Sequence, residues 1–346
     1  MRIPTTFLYF LSVAGMASLG NSFLLRSPPQ QRQRSTRLSA SPENWMTSSR
    51  QDPKLIRVVQ AFFDSCKEIS YKIRTASCDK MSCYNEFGDE QLAIDLLADE
   101  IIFQNLAASG QVATASSEET SDLRFLGGSD YSVAFDPLDG SSIIDTNFAV
   151  GTIFGVWAGK KLTGVYGRDL VAAGIAIYGP RTTITIAVEG IEGAHEFLLM
   201  DDFTAKHGQW TRTKSFYNVQ EGKMFSPGNI RALYDVPGYK DLYHYWITHQ
   251  YQMRYTGGMV PDVNQILVKG KGIFVYPGSP LKLRLLYEVA PLAFLMEKAG
   301  GASSDGEGSL LDRRIVKTED RCQVALGSRG EVERFEKMMG GIVYET

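Results

Sequence analysis

One short stretch of the chain carries residue types suited to metal and phosphate chemistry. Asp136 and Asp139 stand three positions apart around Pro137, so both carboxylates can face one point. The carbonyl of Leu138 can join them as a third hard oxygen ligand of the kind that Mg²⁺ prefers. The Gly-Ser-Ser run at 140–142 offers successive backbone N–H groups and two hydroxyls, which can bind a phosphate. An ordinary Asp-Pro and Asp-Gly turn explains the same spacing, so this stretch alone leaves both interpretations open.

Further acidic residues precede this stretch. Glu118 and Glu119 are adjacent, and Asp89, Asp95 and Asp99 lie on the segment before them. Adjacent acids are more often a solvated surface than a site. A divalent-metal phosphatase nevertheless needs this inventory, with carboxylates that bridge ions and another acid that handles the proton of the attacking water. The combination favours metal-assisted phosphoryl chemistry.

Alternating helical and extended patterns would position these acids. Apolar residues recur at helical spacing over 54–72 and 89–106. Another helix is predicted over 288–298, and a final one through Met339 begins with a capping box between Ser328 and Glu331. Short runs of β-branched and aromatic residues predict strands over 131–135, 149–157, 174–178 and 183–188. The sum is an α/β (α+β) fold, with a domain boundary in the polar stretch 201–222.

The composition indicates a globular protein of enzyme size. The chain has 346 residues, of which 44% are hydrophobic, which is enough for a large buried core. Lys and Arg number 36 against 39 Asp and Glu, for a net charge of −3, and no basic cluster occurs. These features argue against a nucleic-acid-binding protein.

The first 42 residues differ from the rest, with five Arg, no Lys and no acidic residue. An apolar run at 7–19 has the length of a signal peptide and is too short to span a bilayer, which takes about 20 residues. The Ser-, Arg- and Gln-rich stretch after it resembles a transit peptide. The two in series predict a cleaved leader, residues 1–42, that directs the protein to a plastid bounded by extra membranes. Plain secretion and a disordered tail are the alternatives. No later apolar run is long enough for a membrane span, so we expect no membrane association of the mature form.

Taken together, the motifs resemble the fructose-1,6-/sedoheptulose-1,7-bisphosphatase family. The resemblance runs from about Ser77 to the C-terminus. It is carried by SCDKMSCYNEFGDEQLAIDLLADE, SSEE, FDPLDGSSIIDTNFAVGTIFGVW, YGPRTT, EGKMFSPGN, RYTGGMVPDVNQI and LKLRLLYEVAP. It implies a layered α-β-α-β-α sandwich of the sugar phosphatase type, with two mixed sheets between helices. It also implies an N-terminal metal- and phosphate-binding domain over 43–215 and a C-terminal sugar-binding domain over 220–346.

The resemblance assigns roles to individual residues. The implied Mg²⁺ ligands are the carboxylates of Glu118, Asp136, Asp139 and Glu288 and the carbonyl of Leu138. The residues implied to orient and deprotonate the attacking water are Glu119, Asp95 and Asp89. The residues implied to hold the substrate are Gly140, Ser141 and Ser142 at its 1-phosphate, and Asn229, Tyr255, Tyr276 and Lys282 at the sugar and the far phosphate. In the family, the residue at Arg254 reaches the neighbouring subunit's site, which implies a homodimer.

The implied activity is Mg²⁺-dependent hydrolysis of the 1-phosphate of sedoheptulose 1,7-bisphosphate to sedoheptulose 7-phosphate in the Calvin cycle. Two segments, 226–229 and 254–262, have residues typical of the sedoheptulose enzymes of the family. The Phe-Val-Tyr-Pro segment at 274–277 instead resembles the fructose enzymes. Fructose-1,6-bisphosphatase or dual activity therefore stays open. An inactive binding or scaffold protein of phosphatase ancestry is the alternative from another class, and the presence of every expected acid argues against it.

The four cysteines belong to two groups that differ in their sequence surroundings. Cys66 and Cys322 lie in apolar patterns and are expected to be buried. Cys78 and Cys83 lie in a polar stretch before the second predicted helix, and zinc is disfavoured because no matching Cys or His pair exists elsewhere. Plant members of the family carry at this place a Cys pair that forms a regulatory disulfide reduced by thioredoxin. The resemblance implies the same redox control here, through a shift of the helix that bears Asp95.

Overall fold

A computed structural model of the chain describes residues 40–75, 83–84, 90–91, 93–200, 208–278 and 280–340. Within these residues the α-helices are α1 Pro42–Ser48, α2 Pro53–Thr75, α3 Ala93–Ser109, α4 Pro237–Thr248, α5 Met259–Lys269, α6 Ala290–Lys298 and α7 Arg329–Met339. Short 3-10 turns lie at Ser141–Thr146, Gly167–Asp169, Ile230–Leu233 and Leu310–Asp312, and a π-helical turn lies at Leu285–Val289.

The strands of the described residues follow in chain order. They are β1 Cys83–Tyr84, β2 Glu90–Gln91, β3 Val112–Ser117, β4 Arg124–Phe125, β5 Tyr131–Asp139, β6 Val150–Ala158, β7 Val165–Tyr166, β8 Leu170–Tyr178, β9 Thr182–Val188, β10 Ala194–Met200, β11 Gln209–Phe216, β12 Gln220–Pro227, β13 Gln252–Met253, β14 Lys271–Tyr276, β15 Ala302–Ser304, β16 Arg314–Ile315 and β17 Val324–Gly327.

Two mixed sheets contain most of these strands. The larger has eight strands in the order β11-β10-β9-β8-β6-β5-β3-β4, and only β3 and β5 are parallel. The smaller has five strands in the order β13-β12-β14-β17-β15, in which β12 runs parallel to both of its neighbours. The remaining pairs, β1–β2 and β7–β16, are antiparallel. The prediction of two mixed sheets is confirmed.

Helices and sheets alternate in five layers. One apolar cluster joins α2 and α3 to the outer face of the eight-stranded sheet, where the Phe62 and Phe154 rings stack with centroids 4.0 Å apart. A second cluster joins α5 and α6 to both sheets. A third covers the far face of the five-stranded sheet with α4 and α7, where Phe225 stacks on Trp246 at 4.7 Å. This is the predicted α-β-α-β-α sandwich.

Several predicted elements are confirmed, with ends that differ by a few residues. The helix expected over 54–72 is α2, and the four predicted strands are β5, β6, β8 and β9. The start of the helix predicted over 89–106 is wrong. Glu90 and Gln91 are extended and pair with β1, and α3 begins only at Ala93.

The C-terminal helix is confirmed through Met339, but its predicted capping box is wrong. Ser328 is the N-cap residue, yet its side chain makes no capping hydrogen bond. The Glu331 carboxylate instead accepts hydrogen bonds from Trp246 Nε1 at 3.0 Å and from the Tyr251 hydroxyl at 2.6 Å. The carboxylate of Glu331 is therefore bound by side chains distant in the sequence, and not by the helix N-terminus as the local pattern predicts.

Residues 217–219 connect the two sheets, because β11 ends the larger sheet at Phe216 and β12 begins the smaller at Gln220. The stretch 201–222, predicted as a domain boundary, therefore also contains β11 and the start of β12, and its residues 201–207 lie outside the described ranges. The predicted leader lies outside the described residues, except for residues 40–42. No helix of the described ranges is both long enough and apolar enough to cross a membrane.

Candidate active site

The stretch predicted to bind metal and phosphate lies at the end of β5, where its pairing with β6 contains a bulge. Between Asp136 and Asp139 on β5 the register passes over two residues, whereas on β6 it passes over Thr152 alone. Such a bulge interrupts the strict alternation of side chains and can redirect them toward a site. The backbone then turns at Gly140, with φ of 82°, into the 3-10 turn Ser141–Thr146.

Asp136 lies in a buried group of acids. Asp136 is 3% exposed, and burial raises the pKa of its carboxyl well above the ordinary value. The charges of Asp139, Glu288 and Glu119 raise that pKa further, while the Leu138 N–H donates to Asp136 Oδ1 at 3.0 Å and opposes the shift. Acids from β5, from the turn after β3 and from the π-helical turn therefore lie close enough to repel one another.

The N-terminus of α5 holds Asp139. The Met259 N–H donates to Asp139 Oδ1 at 3.2 Å, and the Val260 N–H donates to Oδ2 at 2.6 Å. Burial raises the pKa of this carboxyl to about 6, against the opposing effect of these two donors. Free N–H groups and the positive end of the helix dipole favour a carboxylate at this point.

Glu288 lies on the π-helical turn and is 6% exposed. Burial raises the pKa of its carboxyl to about 7, with a further rise from Asp139 and an opposing effect from Arg284, whose N–H donates to Glu288 Oε2 at 2.6 Å. The neighbouring Tyr287 hydroxyl lies 2.8 Å from Ser116 Oγ. That hydrogen bond joins the π-helical turn to β3, the strand that leads to the other acids.

Glu118 follows β3 and forms an ion pair with the Arg284 guanidinium. The Glu118 backbone N–H donates to the Phe135 carbonyl at 3.0 Å, which places it beside β5. Arg284 is not among the site residues predicted from the sequence, and it is 3% exposed. Its position four residues before Glu288 was the available signal, because such residues can lie on one face of a helical turn.

Two of the predicted proton-handling acids, Glu119 and Asp95, lie within the described residues, and the charge of Glu119 contributes to the raised pKa of Asp136. Asp95 is 1% exposed on α3, one turn before Asp99. The Thr120 hydroxyl donates to Asp99 Oδ2 at 2.9 Å, and burial raises the pKa of Asp99. This contact connects α3 to the turn that carries Glu119. Asp89 lies outside the described residues.

Two predicted sugar-binding tyrosines face the acids. Burial raises the pKa of Tyr276 to about 12, with further contributions from Tyr255 and Glu288. Burial also raises the pKa of Tyr255, which Asp262 and Asp139 increase further. The phenols therefore border the acidic group, on the side of the five-stranded sheet.

The other predicted substrate-binding residues are half-buried or exposed. Asn229 precedes the turn Ile230–Leu233 with φ of 49°, while Arg254 and Lys282 are exposed. Ser141 is half-buried and Ser142 is exposed, as expected for groups that meet a ligand from solvent. A Cβ at Gly140 would lie 3.3 Å from Gly258 Cα, so the turn at Gly140 packs closely against the segment before α5.

The donor set fits a hard divalent cation. It consists of carboxylates and a carbonyl, and the buried, mutually repelling acids are stabilised by added positive charge. As the side chains are placed, no three His, Cys, Asp or Glu residues within the described ranges are grouped to hold a metal ion. Arg284 provides positive charge at one oxygen, Oε1, of the Glu118 carboxylate.

Comparisons with known proteins agree over nearly the whole described chain. The profiles of the fructose-1-6-bisphosphatase N-terminal and C-terminal domains match residues 40–215 and 219–340. A chloroplastic sedoheptulose-1,7-bisphosphatase of Triticum aestivum is 53% identical over 307 residues, covering 87% of this chain and 77% of the relative. A class 1 fructose-1,6-bisphosphatase of Syntrophotalea carbinolica is 37% identical over 313 residues, covering 88% and 95%. A Toxoplasma gondii crystal structure, proposed to be a sedoheptulose-1,7 bisphosphatase, matches with a TM-score of 0.80 at 36% identity, covering 88% of this chain and 99% of that one.

Proposed function

The chain belongs to the fructose-1,6-bisphosphatase family and is a phosphoric monoester hydrolase, and from this premise we propose that it removes the 1-phosphate of sedoheptulose 1,7-bisphosphate. The products are sedoheptulose 7-phosphate and inorganic phosphate. The observation that carries the proposal is the group formed by the buried acids Asp136 and Glu288 and the half-buried Asp139, next to residues 140–142. The higher identity to the sedoheptulose enzyme than to the fructose enzyme supports the choice of sugar.

In the proposed mechanism, the ligands of Mg²⁺ are Glu118, Asp136, Asp139, Glu288 and the Leu138 carbonyl. When bound, Mg²⁺ neutralises phosphate charge and lowers the pKa of water so that it becomes a nucleophile. Glu119, Asp95 and Asp89 orient the water and accept its proton. The N-terminus of α5 keeps Asp139 ionised and fixed in direction through two N–H donors.

The remaining residues bind the substrate. Gly140, Ser141 and Ser142 hold the 1-phosphate, and Asn229, Tyr255, Tyr276 and Lys282 hold the sugar and the 7-phosphate. Arg254 is exposed and acts in the neighbouring site of a homodimer. The far phosphate supplies binding energy and orientation that a monophosphate lacks, which gives selectivity for bisphosphates.

A competition assay tests the choice of substrate. Specificity constants for sedoheptulose 1,7-bisphosphate and fructose 1,6-bisphosphate are measured with both sugars present at limiting Mg²⁺. We expect the ratio to favour the sedoheptulose substrate. A ratio near one indicates dual activity, which the Phe-Val-Tyr-Pro segment at 274–277 favours, and a ratio that favours fructose contradicts the proposal. Metal binding without phosphate release from either sugar identifies an inactive binding protein instead.

We also propose that the protein works in a plastid, in the Calvin cycle. The leader pattern and the chloroplastic location in the name of the Triticum aestivum relative support this. Residues 1–42 fused to a fluorescent protein should direct it to the plastid of an alga with extra plastid membranes. Secretion of the fusion contradicts the proposal.

Redox control by thioredoxin is proposed through Cys78 and Cys83. The Cys83 backbone lies in β1 and pairs with Gln91, two residues before α3, so a disulfide here acts close to the helix that carries Asp95. Cys78 lies outside the described residues. A Cys83→Ser enzyme should keep its activity under oxidation. Loss of activity in oxidised Cys83→Ser, with recovery on adding reduced thioredoxin, contradicts the assignment of this pair.

A further inference from the structure

A chain of buried polar groups lies against the bulge in β5. Thr152 Oγ1 lies 2.8 Å from the carbonyl oxygen of Pro137 and 2.7 Å from the Tyr178 hydroxyl. Thr152 and Tyr178 are 0% and 5% exposed. The thiol of Cys66, on α2, is buried within hydrogen-bonding reach of both hydroxyls. The groups thus connect a helix on the outer face of the sheet to the loop that carries the acids.

The hydrogen bonds among these buried groups can run in only one direction. A carbonyl oxygen can only accept, so the single hydroxyl proton of Thr152 goes to Pro137. Tyr178 must then donate to Thr152. Burial raises the pKa of Cys66 to about 12 and that of Tyr178 well above its ordinary value, so both groups keep their protons at neutral pH.

The bulge needs such a contact because ordinary strand pairing is lost there. Pro137 and Leu138 together lie opposite Thr152. Pro137 has no N–H to donate, and the Leu138 N–H donates to Asp136 Oδ1. The Thr152 hydroxyl supplies a hydrogen bond to the Pro137 carbonyl from the strand opposite the bulge.

We propose that Thr152 and Tyr178 are positioning residues, which hold the Pro137 carbonyl and thereby fix the directions of Asp136, the Leu138 carbonyl and Asp139. The inference rests on the proposed function, because it assigns a role within the same site. Both residues act through the backbone of β5. Their loss should weaken ion binding and slow catalysis, with little effect on the binding of the sugar.

The test compares Thr152→Val with Thr152→Ser. Valine keeps the shape and removes the hydroxyl, whereas serine keeps the hydroxyl. Groups that orient metal ligands typically affect affinity or activity by about 10- to 100-fold. We expect Thr152→Val to raise the Mn²⁺ dissociation constant, measured by electron paramagnetic resonance, by about tenfold or more. We expect kcat to fall by a similar factor while KM for the bisphosphate stays within about threefold, and Thr152→Ser to restore both quantities.

Thr185 provides a matched control. It lies on β9 of the same sheet and is 1% exposed, and its hydroxyl has no hydrogen-bond partner among the described residues. Thr185→Val should leave the Mn²⁺ affinity and kcat unchanged. The positioning role is overturned if folded Thr152→Val behaves like Thr185→Val. If Thr152→Val does not fold, Tyr178→Phe carries the test, because it removes the proton donated to Thr152, and an unchanged Mn²⁺ affinity in that variant overturns the proposal.

The two proposals fail in different ways. A wild-type protein that binds Mn²⁺ but releases no phosphate from either sugar bisphosphate overturns the proposed function. The comparison of Mn²⁺ affinities then still decides the role of Thr152, since it does not depend on turnover. A wild-type protein that binds no Mn²⁺ overturns both.

Discussion

At the scale of single residues, the buried carboxyl of Asp136 in the candidate site makes the folded state less stable. Asp136 is buried, and its carboxyl lies near the charges of Asp139 and Glu288. Desolvation and like-charge repulsion both penalise the ionised form in the folded protein. At neutral pH the unfolded chain does not suffer this penalty, so the acid lowers the free energy of unfolding. Functional groups often reduce stability in this way.

Replacing Asp136 with asparagine should therefore stabilise the metal-free protein and inactivate it. The amide removes the buried charge, and its oxygen can still accept the hydrogen bond from the Leu138 N–H. We expect the free energy of unfolding in chelator to rise by about 1–2 kcal/mol. We expect phosphate release to fall by about 100-fold or more, because a metal ligand is lost.

Asp64→Asn is the matched control for this prediction. Asp64 is exposed on α2, where its Oδ1 accepts a hydrogen bond from Gln60 Nε2 at 3.1 Å that asparagine can preserve. Urea denaturation and phosphate release should match the parent in this variant. An Asp136→Asn protein that is less stable than its parent in chelator would show that the buried carboxylate is better compensated than its surroundings indicate.

At the scale of elements, the close approach of α5 to the eight-stranded sheet positions Asp139. Gly151 on β6 is paired with Asp139, and a Cβ at Gly151 would collide with Val260 Cγ1 and lie 2.5 Å from the Ala176 carbonyl oxygen. Val260 is also the residue whose N–H holds Asp139 Oδ2. The absence of a side chain at Gly151 therefore allows the helix N-terminus to reach the carboxylate.

Gly151→Ala should move α5 away from the sheet. Overpacking of this kind costs about 1–3 kcal/mol, and we expect a loss of stability in that range together with weaker Mn²⁺ binding by the folded fraction. Gly308→Ala is the control, because nothing lies within 4 Å of a Cβ at that position. Its stability should change by less than about 0.5 kcal/mol. If Gly151→Ala binds Mn²⁺ with the parental affinity, the position of α5 does not control the metal site.

The buried His195 on β10, whose ring centroid lies 4.7 Å from that of Trp45 on α1, should make stability depend on pH. Burial lowers the pKa of His195 to about 4 from an ordinary value of 6.5. Its Nδ1 lies 2.8 Å from Ser215 Oγ, and its Nε2 lies 3.0 Å from the Glu192 carbonyl oxygen. Because only the unfolded chain takes up a proton near pH 6.5, the contribution of His195 is complete above that pH. It is lost as the pH falls toward 4, by about 3 kcal/mol in total.

His195→Gln should remove this dependence, since glutamine does not titrate and can donate to the Glu192 carbonyl. The measurement is the free energy of unfolding from pH 4 to pH 7 in both proteins, and their difference isolates His195 from the carboxylates that titrate in the same range. Parallel curves for the two proteins would mean that His195 titrates normally in the folded state.

Local sequence patterns predict the elements well where one face of an element is buried. The apolar repeat of α2 and the β-branched runs of β5, β6, β8 and β9 place these elements to within a few residues of their observed ends. The errors involve distant partners. Glu331 is bound by Trp246 and Tyr251 rather than by its own helix, and no local pattern contains those contacts.

The candidate site was predictable in its acids but not in the groups that hold them. The carboxylates of the Asp-Pro-Leu-Asp-Gly stretch, taken together with the further acids of the chain, indicate metal chemistry. The burial of Arg284 and the contact of Thr152 with Pro137 depend on the strand register and on the π-helical turn. The spacing of Arg284 and Glu288 indicates only that they can share one face of a turn. The ion pair of Arg284 with Glu118, 166 positions away, and the register of β5 against β6 do not follow from residue spacing.

At the scale of the whole molecule, both parts matched by the family profiles contribute to one site. Residues 40–215 supply Asp136 and Asp139, and residues 219–340 supply Glu288 and the N–H groups of α5. If Arg254 also acts across a homodimer, each complete site draws on three segments in two chains. This arrangement can be tested by mixing defective subunits.

Refolded mixtures of Arg254→Ala and Asp139→Asn subunits should regain activity. In a mixed dimer, the Arg254→Ala subunit keeps its acids and receives Arg254 from its partner, so one of the two sites is complete. With half of the dimers mixed, we expect about a quarter of the parental activity. Mixtures of Arg254→Ala with the double variant Arg254→Ala/Asp139→Asn provide the control and should stay inactive. An absence of recovery, with mixed dimers verified by native mass spectrometry, would place Arg254 outside the neighbouring site.

The two hydrogen bonds from the N-terminus of α5 to Asp139 also have a consequence for biosynthesis. Asp139 and Met259 are 120 positions apart, so the ribosome delivers the acid long before the amides that hold it. A nascent chain that has already formed β5 and β6 therefore has a carboxylate at the end of β5 without its two backbone donors until α5 leaves the exit tunnel. Premature termination in that interval should yield a product without phosphatase activity.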